Sequence, residues 1–307
     1  MITELVKFKN RSGLFLDGLY FYSPMNCCVV INVHGSFGNF YSNAFIKIMA
    51  ESYNKKGINF LSFNLTQHDG VAEAVREQNN INRWEYIGYA ISDYSCCIDD
   101  IAGAYDYVKI RNNNTIILQG HSLGCNRILY YIKETGCDCP IILLSSTNSL
   151  ELQRRWIFPE RIEEQIFRLT EDGLRNEINF NEHGVNTSKK EIDRARDDAP
   201  YIPISAKSLV TMLKNPSMDI VQMLNNEKPV DNLAFVYIGG QDEYQTDSLE
   251  IYRNCFDRYF SHIKYKVIID GNHSFIGHEE ELANCIAEWV NTIDYDGRYK
   301  LRRQENA

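Results

Sequence analysis

The chain has 307 residues, 44% hydrophobic and 24% charged, which suits one large α/β domain carrying an insertion, or two modest domains. Its formal net charge of −9 argues against a nucleic-acid partner, which would demand a basic face. The opening Met1-Ile2-Thr3-Glu4-Leu5-Val6-Lys7 lacks the basic start and apolar run of a secretory signal, and no stretch reaches the ~18 apolar residues of a membrane span. Neither export nor a membrane partner is expected.

Nine cysteines include the adjacent pairs Cys27-Cys28 and Cys96-Cys97, both in apolar periodic segments where reduced thiols pack as small hydrophobes. A thiol-reducing, cytoplasmic setting is the expectation. Cys137-Asp138-Cys139, with Cys125 nearby, has the look of half a metal site. A second ligand pair at zinc-type spacing is missing, so no metal is expected.

In chain order, Glu4–Lys9 and Leu14–Tyr22 flank Asn-Arg-Ser-Gly and read as an antiparallel hairpin at a sheet edge. Cys28–Val33 reads as a buried strand, Ser42–Tyr53 as a helix and Asn59–Phe63 as the next strand. Ile91, Tyr94, Ile98, Ile101, Tyr105 and Val108 recur at steps of three and four, one stripe of a helix over Ile91–Lys109. Strand Thr115–Gln119, helix Asn126–Glu134 and strand Pro140–Ser145 follow. Strands Leu233–Ile238 and Lys264–Ile269 alternate with helices Asp247–Phe260 and Glu279–Ile293. Such alternation predicts an α/β fold with a mostly parallel central sheet flanked by helices. Residues 150–229 break the rhythm: they are charged and helical in pattern, with no convincing strand. We expect a helical cap there, with 1–149 and 230–307 forming the core domain.

The sharpest local signal is Gly120-His121-Ser122-Leu123-Gly124, between a strand and a helix. A serine on a tight strand-to-helix turn projects its hydroxyl above the sheet, and the crowding calls for glycine two residues to either side. The following helix aims its amino end at developing negative charge. Upstream, Val33-His34-Gly35-Ser36-Phe37-Gly38-Asn39 follows a buried strand and lets backbone approach a bound carbonyl. The N–H of Ser36, or of Phe37, could pair with that of Leu123 as an oxyanion hole; an ordinary glycine turn is the alternative. Gly35 and Gly38 lack the spacing of a dinucleotide fingerprint.

Downstream, Ile238-Gly239-Gly240-Gln241-Asp242-Glu243 ends the next-to-last strand and offers Asp242, with Glu243 as competitor, to orient a histidine. His273, in Asp270-Gly271-Asn272-His273-Ser274, is the histidine placed just beyond the last strand and after that acid. Phe37 and His121 neighbour these motifs and are candidate substrate contacts; for His34 and His121, which flank the glycine and the serine, shaping the loops is the other reading. In the insertion, Arg154, Arg155, Trp156 and Phe158 form a basic and aromatic cluster that could meet a carboxylate-bearing or aromatic substrate. A helix face half buried against the domain is the other reading. Trp84 and Tyr86 could also face the pocket, with core packing as the plainer expectation.

On these residues the chain resembles the α/β-hydrolase superfamily from Cys28 to Ile293, in which serine, acid and histidine follow in this order. Gly-His-Ser-Leu-Gly-Cys-Asn, Ile-Gly-Gly-Gln-Asp-Glu-Tyr and Pro203-Ile204-Ser205-Ala206-Lys207-Ser208 also resemble a branch that includes fungal siderophore-ester hydrolases. The resemblance implies Ser122 as nucleophile, Asp242 as acid, His273 as base, and Ser36 and Leu123 as oxyanion donors. It implies a small-molecule acyl substrate and no cofactor. Asn39-Phe40-Tyr41 departs from the pattern in bulk, which could narrow the acyl pocket. A serine nucleophile points to acyl transfer from an ester, thioester or amide. The expected activity is a carboxylesterase-like serine hydrolase; an amidase, thioesterase or acyltransferase on the same triad is the alternative, and a ligand-sensing scaffold a third reading.

Overall fold

A computed structural model describes residues 1–24, 28–111, 115–152, 184–185 and 204–293. Eight strands form one sheet in the order β1-β2-β4-β3-β7-β8-β11-β12. The hairpin of β1 (Ile2–Lys9) and β2 (Phe15–Tyr22) lies at the edge, and β2 runs antiparallel to β4 (Ile58–Phe63). Beyond it β3 (Cys28–Val33), β7 (Thr115–His121), β8 (Ile141–Leu144), β11 (Val230–Gly239) and β12 (Phe260–Ile268) are parallel to their neighbours and to β4. Every residue of β3, β4 and β8 is buried, the reason these segments read as continuous apolar runs without alternation.

The helices are α1 (Phe45–Lys55), α2 (Cys96–Arg111), α3 (Leu123–Thr135), α4 (Ala206–Leu213), α5 (Ile220–Asn226), α6 (Leu249–Tyr259) and α7 (Glu279–Val290). One apolar cluster joins α1 and α7 to one face of the sheet, through Phe45, Met49, Tyr53, Ile286 and Trp289. Another joins α2, α3 and α6 to the opposite face, through Ile101, Ile128, Ile132 and Phe256. Covering both faces leaves the strand ends and their loops as the place where a ligand can reach the sheet.

Between β4 and α2 the structure adds a ribbon that sequence periodicity does not reveal. β5 (Ala72–Gln78) and β6 (Ile81–Ile87) pair antiparallel across Asn79 and Asn80, both at positive φ (53° and 61°), the geometry of a two-residue primed turn. Arg76 holds the ribbon to Glu85 and to the carbonyl of Ser12. Trp84 and Tyr86 lie two residues apart on β6 and are 75% and 70% exposed, so the expectation of core packing is overturned. A two-stranded ribbon with one free face has no second layer to bury them.

Of residues 150–229, the described part is not purely helical. Gly184–Val185 pairs with Ile204–Ser205 as a short antiparallel ribbon, here β9 and β10, where no strand was expected. Leu209, Val210, Met212 and Leu213 of α4, with Met218, pack against Tyr89, Tyr94, Cys97 and Leu123. Ser205 N–H donates to the Ala90 carbonyl at 2.7 Å and Ser208 Oγ to that of Tyr89 at 2.7 Å. This segment therefore sits above the amino end of α3. Arg154, Arg155, Trp156 and Phe158 lie outside the described residues. Among the described residues no helix is long and apolar enough to cross a membrane, and no cluster of three or more His, Cys, Asp or Glu could hold a metal ion.

One buried carboxylate ties the hairpin to the α/β layers. Asp100 on α2 accepts hydrogen bonds from Asn10 Nδ2 (2.7 Å), Thr66 N–H (2.7 Å) and Thr66 Oγ1 (2.8 Å). Burial raises its pKa to about 6, against the pull of those donors and of Arg127. Asp100→Ala should cost about 2–4 kcal/mol in denaturant unfolding, because three donors lose a buried acceptor. A carboxyl raised in the folded state contributes most below its unfolded pKa, and that contribution fades as pH rises through about 6. The penalty should therefore be larger at pH 4 than at pH 8.

Candidate active site

Three loops leave the carboxyl ends of β3, β7 and β11 and meet a fourth beyond β12. The turn after β7 carries Ser122 at φ 56° and ψ −127°, a strained conformation for a residue with a side chain. Its N–H donates to the Leu144 carbonyl (2.9 Å), and its own carbonyl accepts from Cys125 N–H (2.9 Å). The flanking glycines are explained by contact. A Cβ on Gly120 would lie 2.6 Å from the Gly124 carbonyl carbon, and one on Gly124 would collide with the Val33 carbonyl oxygen. The helix thus begins hard against β3, with Ser122 at its amino end.

Gly35 brings the β3 loop to the same place: a Cβ there would stand 3.0 Å from Ser122 Cβ and 3.4 Å from Ser122 Oγ. Among the described residues the amides of Ser36, Phe37 and Leu123 donate no hydrogen bond. Phe37 takes φ 51° and lays its ring 4.0 Å from that of Tyr89. It lies beside the described part of the insertion, where its ring packs against the cluster containing Leu123 and Leu209.

Asp242 and His273 meet directly. Nδ1 of the imidazole lies 2.9 Å from both carboxylate oxygens, with side-chain exposures of 7% for His273 and 1% for Asp242. Asp242 Oδ1 also accepts from Tyr244 N–H at 2.9 Å, and the Tyr244 ring stands edge-on to the imidazole at 4.6 Å. Glu243, the competing acid, takes a different part: its Oε2 accepts the backbone N–H of His273 at 3.1 Å. Gln241 N–H donates to the Gly271 carbonyl (2.9 Å), and Gly239 lies so close that a Cβ would come within 2.5 Å of that oxygen. Acid loop and histidine loop are thereby stitched into one unit.

His121, a candidate substrate contact, is instead 4% exposed and donates Nε2–H to the His273 carbonyl at 2.9 Å. Its ring lies 4.9 Å from that of His273 and 5.1 Å from Phe45. Burial, with His273 as a second cause, lowers its pKa to about 3, so it is neutral at physiological pH. His273 is thus held at its N–H by Glu243, at its carbonyl by His121 and at Nδ1 by Asp242. Neither Ser122 Oγ nor His273 Nε2 has a hydrogen-bond partner among the described residues. Catalytic hydrogen bonds of this kind often tighten only in the complex with substrate.

Motif reading missed the support for this arrangement. Arg127 is fully buried beneath the β3 loop and donates to the carbonyls of His34 and Gly35. Its signal in the sequence is a cation one helical turn after Leu123, in a helix otherwise apolar on that side. Gly124→Ala should destabilise the fold by about 1–3 kcal/mol or more, as an overpacked backbone contact does. Gly136→Ala, at φ 66° with nothing within 4 Å of the new Cβ, should cost only about 1 kcal/mol. Paired urea titrations check the ranking.

No protein-family profile matches the chain. Among curated proteins it is 25% identical over 172 residues to phosphatidylcholine-sterol acyltransferase of Gerbilliscus gambianus, a match covering 49% of this chain and 55% of the other. The chain spans about half the length of that relative. Among solved structures, Est1E of Butyrivibrio proteoclasticus with bound ferulic acid superposes at TM-score 0.65, with 16% identity, over 93% of this chain and 98% of that one. The Pyrococcus furiosus esterase Pf2001 gives 0.60 and 14% over 94% and 91%. The esterase domain of a Rhodothermus marinus protein gives 0.58 and 11% over 94% and 98%. With its sheet order, its strained serine turn and these superpositions in agreement, the chain adopts the α/β-hydrolase fold.

Proposed function

We propose that the protein is a serine hydrolase that cleaves a carboxylic ester, or a related acyl bond, of a small or medium metabolite. The observation that carries this reading is the buried Asp242 carboxylate at 2.9 Å from His273 Nδ1. That contact keeps the proton on Nδ1 and leaves Nε2 as a base beside the serine turn. In the mechanism, Ser122 Oγ rotates toward Nε2, gives up its proton and attacks the acyl carbon. The carbonyl electron pair moves onto oxygen, where the N–H groups of Ser36 and Leu123 receive it. His273 then protonates the leaving group as the tetrahedral species collapses to an acyl-enzyme. Water repeats the sequence and releases the acid.

Residues 150–229 serve as a cap in this reading. Support comes from the packing of α4 against Leu123, Tyr89 and Tyr94, directly above the candidate nucleophile. Ester chemistry is favoured by the esterases among the superposed structures. A cytoplasmic, thiol-reducing setting accords with the eight described cysteines being reduced. A second reading, transfer of the acyl group to an alcohol or amine, is favoured by the acyltransferase similarity. It differs only in what attacks the acyl-enzyme.

A fluorophosphonate should label the parent at one site and leave Ser122→Ala unlabelled. p-Nitrophenyl esters should be turned over by the parent, with kcat falling by about 10⁴-fold or more in Ser122→Ala and His273→Ala. An unlabelled parent that is properly folded would reject the hydrolase reading. Product ratios with and without added alcohols or amines separate hydrolysis from transfer.

A further inference from the structure

Arg127 is an oddity that the proton relay does not use. It is 0% exposed, yet no carboxylate lies within ion-pair distance of it among the described residues. Nη1 donates to the His34 carbonyl at 2.8 Å and to the Gly35 carbonyl at 3.1 Å, and Nη2 to Gln67 Oε1 at 3.1 Å. Nε has no partner, and the guanidinium carbon stands 6.0 Å from the Tyr94 ring centre. A buried cation with no adjacent carboxylate is expensive, even with Asp100 acting on it at longer range, and an apolar side chain of similar length would fill the space more cheaply. Its contacts say what it does there.

Three donors converge on one oxygen. The Gly35 carbonyl accepts from Arg127 Nη1, from His34 Nδ1 at 2.9 Å and from Gly38 N–H at 3.3 Å. His34 is 1% exposed, and its Nε2 accepts Leu65 N–H at 3.1 Å, so the proton sits on Nδ1. Gly35 C=O and Ser36 N–H belong to the same peptide unit, and the chain has no cis peptide among its described residues. In a trans peptide the two groups point in opposite directions. Anchoring the oxygen on Arg127 and His34, inside the molecule, turns Ser36 N–H outward. Gly35 itself lies against Ser122, its virtual Cβ 3.4 Å from Oγ. Charge-assisted donation to the oxygen also polarises the amide, making its N–H a stronger donor.

We propose that Arg127 is the positioning residue of the oxyanion hole: together with His34 it orients and polarises the Gly35–Ser36 peptide so that Ser36 N–H, rather than Phe37 N–H, receives the oxyanion. The inference rests on the serine-hydrolase reading and adds to it which amide acts and what activates it. Arg127 touches no substrate. Its effect belongs to the tetrahedral state, where charge has moved to oxygen, and not to substrate binding.

The test uses Arg127→Met, which keeps length and removes charge, and Arg127→Ala with and without guanidinium at non-denaturing concentration. Parent labelling by fluorophosphonate comes first; its failure defeats the hydrolase reading and not this inference separately. With a labelled parent, Arg127→Met should keep a cooperative unfolding transition while kcat on a p-nitrophenyl ester falls about 100-fold, the usual effect of losing one oxyanion donor. KM should stay within about twofold, and affinity for an alkylboronic acid, a tetrahedral mimic, should fall in parallel with kcat. Added guanidinium should restore part of the rate of Arg127→Ala and leave the parent unchanged. A folded Arg127→Met with kcat within about threefold of the parent, or one whose loss lies in KM alone, overturns the proposal. Should the methionine variant not fold, a folded Arg127→Ala that guanidinium fails to accelerate overturns it as well.

Discussion

Everything at the carboxyl end of the sheet is organised around a serine forced to φ 56°. That conformation is unfavourable in itself and persists because its surroundings leave no alternative. Leu144 accepts its N–H, Cys125 donates to its carbonyl, and α3 starts so close to β3 that Gly124 has no room for a side chain beside Val33. The same closeness brings Gly35 against the hydroxyl. One tight approach between α3 and β3 therefore brings together a half-buried serine and the backbone amides beside it.

The second unit is assembled independently and then clamped to the first. Gly239 and Gly240 allow the β11 loop to lie on the backbone of the β12 loop, which sets Asp242 against His273. His121 belongs to the serine turn, yet its ring holds the carbonyl of His273. Being neutral and buried, it forms a link that does not vary with pH in the physiological range. Glu243 closes the other side through the histidine N–H. His273 is thus held at its backbone N–H, its carbonyl and Nδ1, and Nε2 has no partner among the described residues. Beneath the β3 loop, Arg127 holds the carbonyls of His34 and Gly35.

Local rules made much of this legible. The mostly parallel sheet followed from buried β-branched runs separated by amphipathic helices, and the edge hairpin from two strand-like segments around Asn-Arg-Ser-Gly. Gly-x-Ser-x-Gly marks its turn because the steric demand is met within five residues. The ribbon of β5 and β6 escaped notice because its outward face carries Trp84 and Tyr86, and an exposed aromatic pair imitates buried pattern. The Asn79-Asn80 pair was the available cue, since asparagine tolerates the positive φ that such a turn requires.

The sequence alone determined which side chains could do chemistry and in what order they occur, since a serine turn and the loops after strands are encoded locally. Only the tertiary structure shows that Asp242 reaches the ring of His273 and Glu243 its backbone N–H, because both are carboxylates in one turn and the difference lies in how that turn meets the next loop. Only it shows His121 bound to the His273 carbonyl, and Arg127 reaching back about ninety residues to the loop beside the serine. Such contacts join distant stretches of chain, and they exist only after the sheet has brought those stretches together.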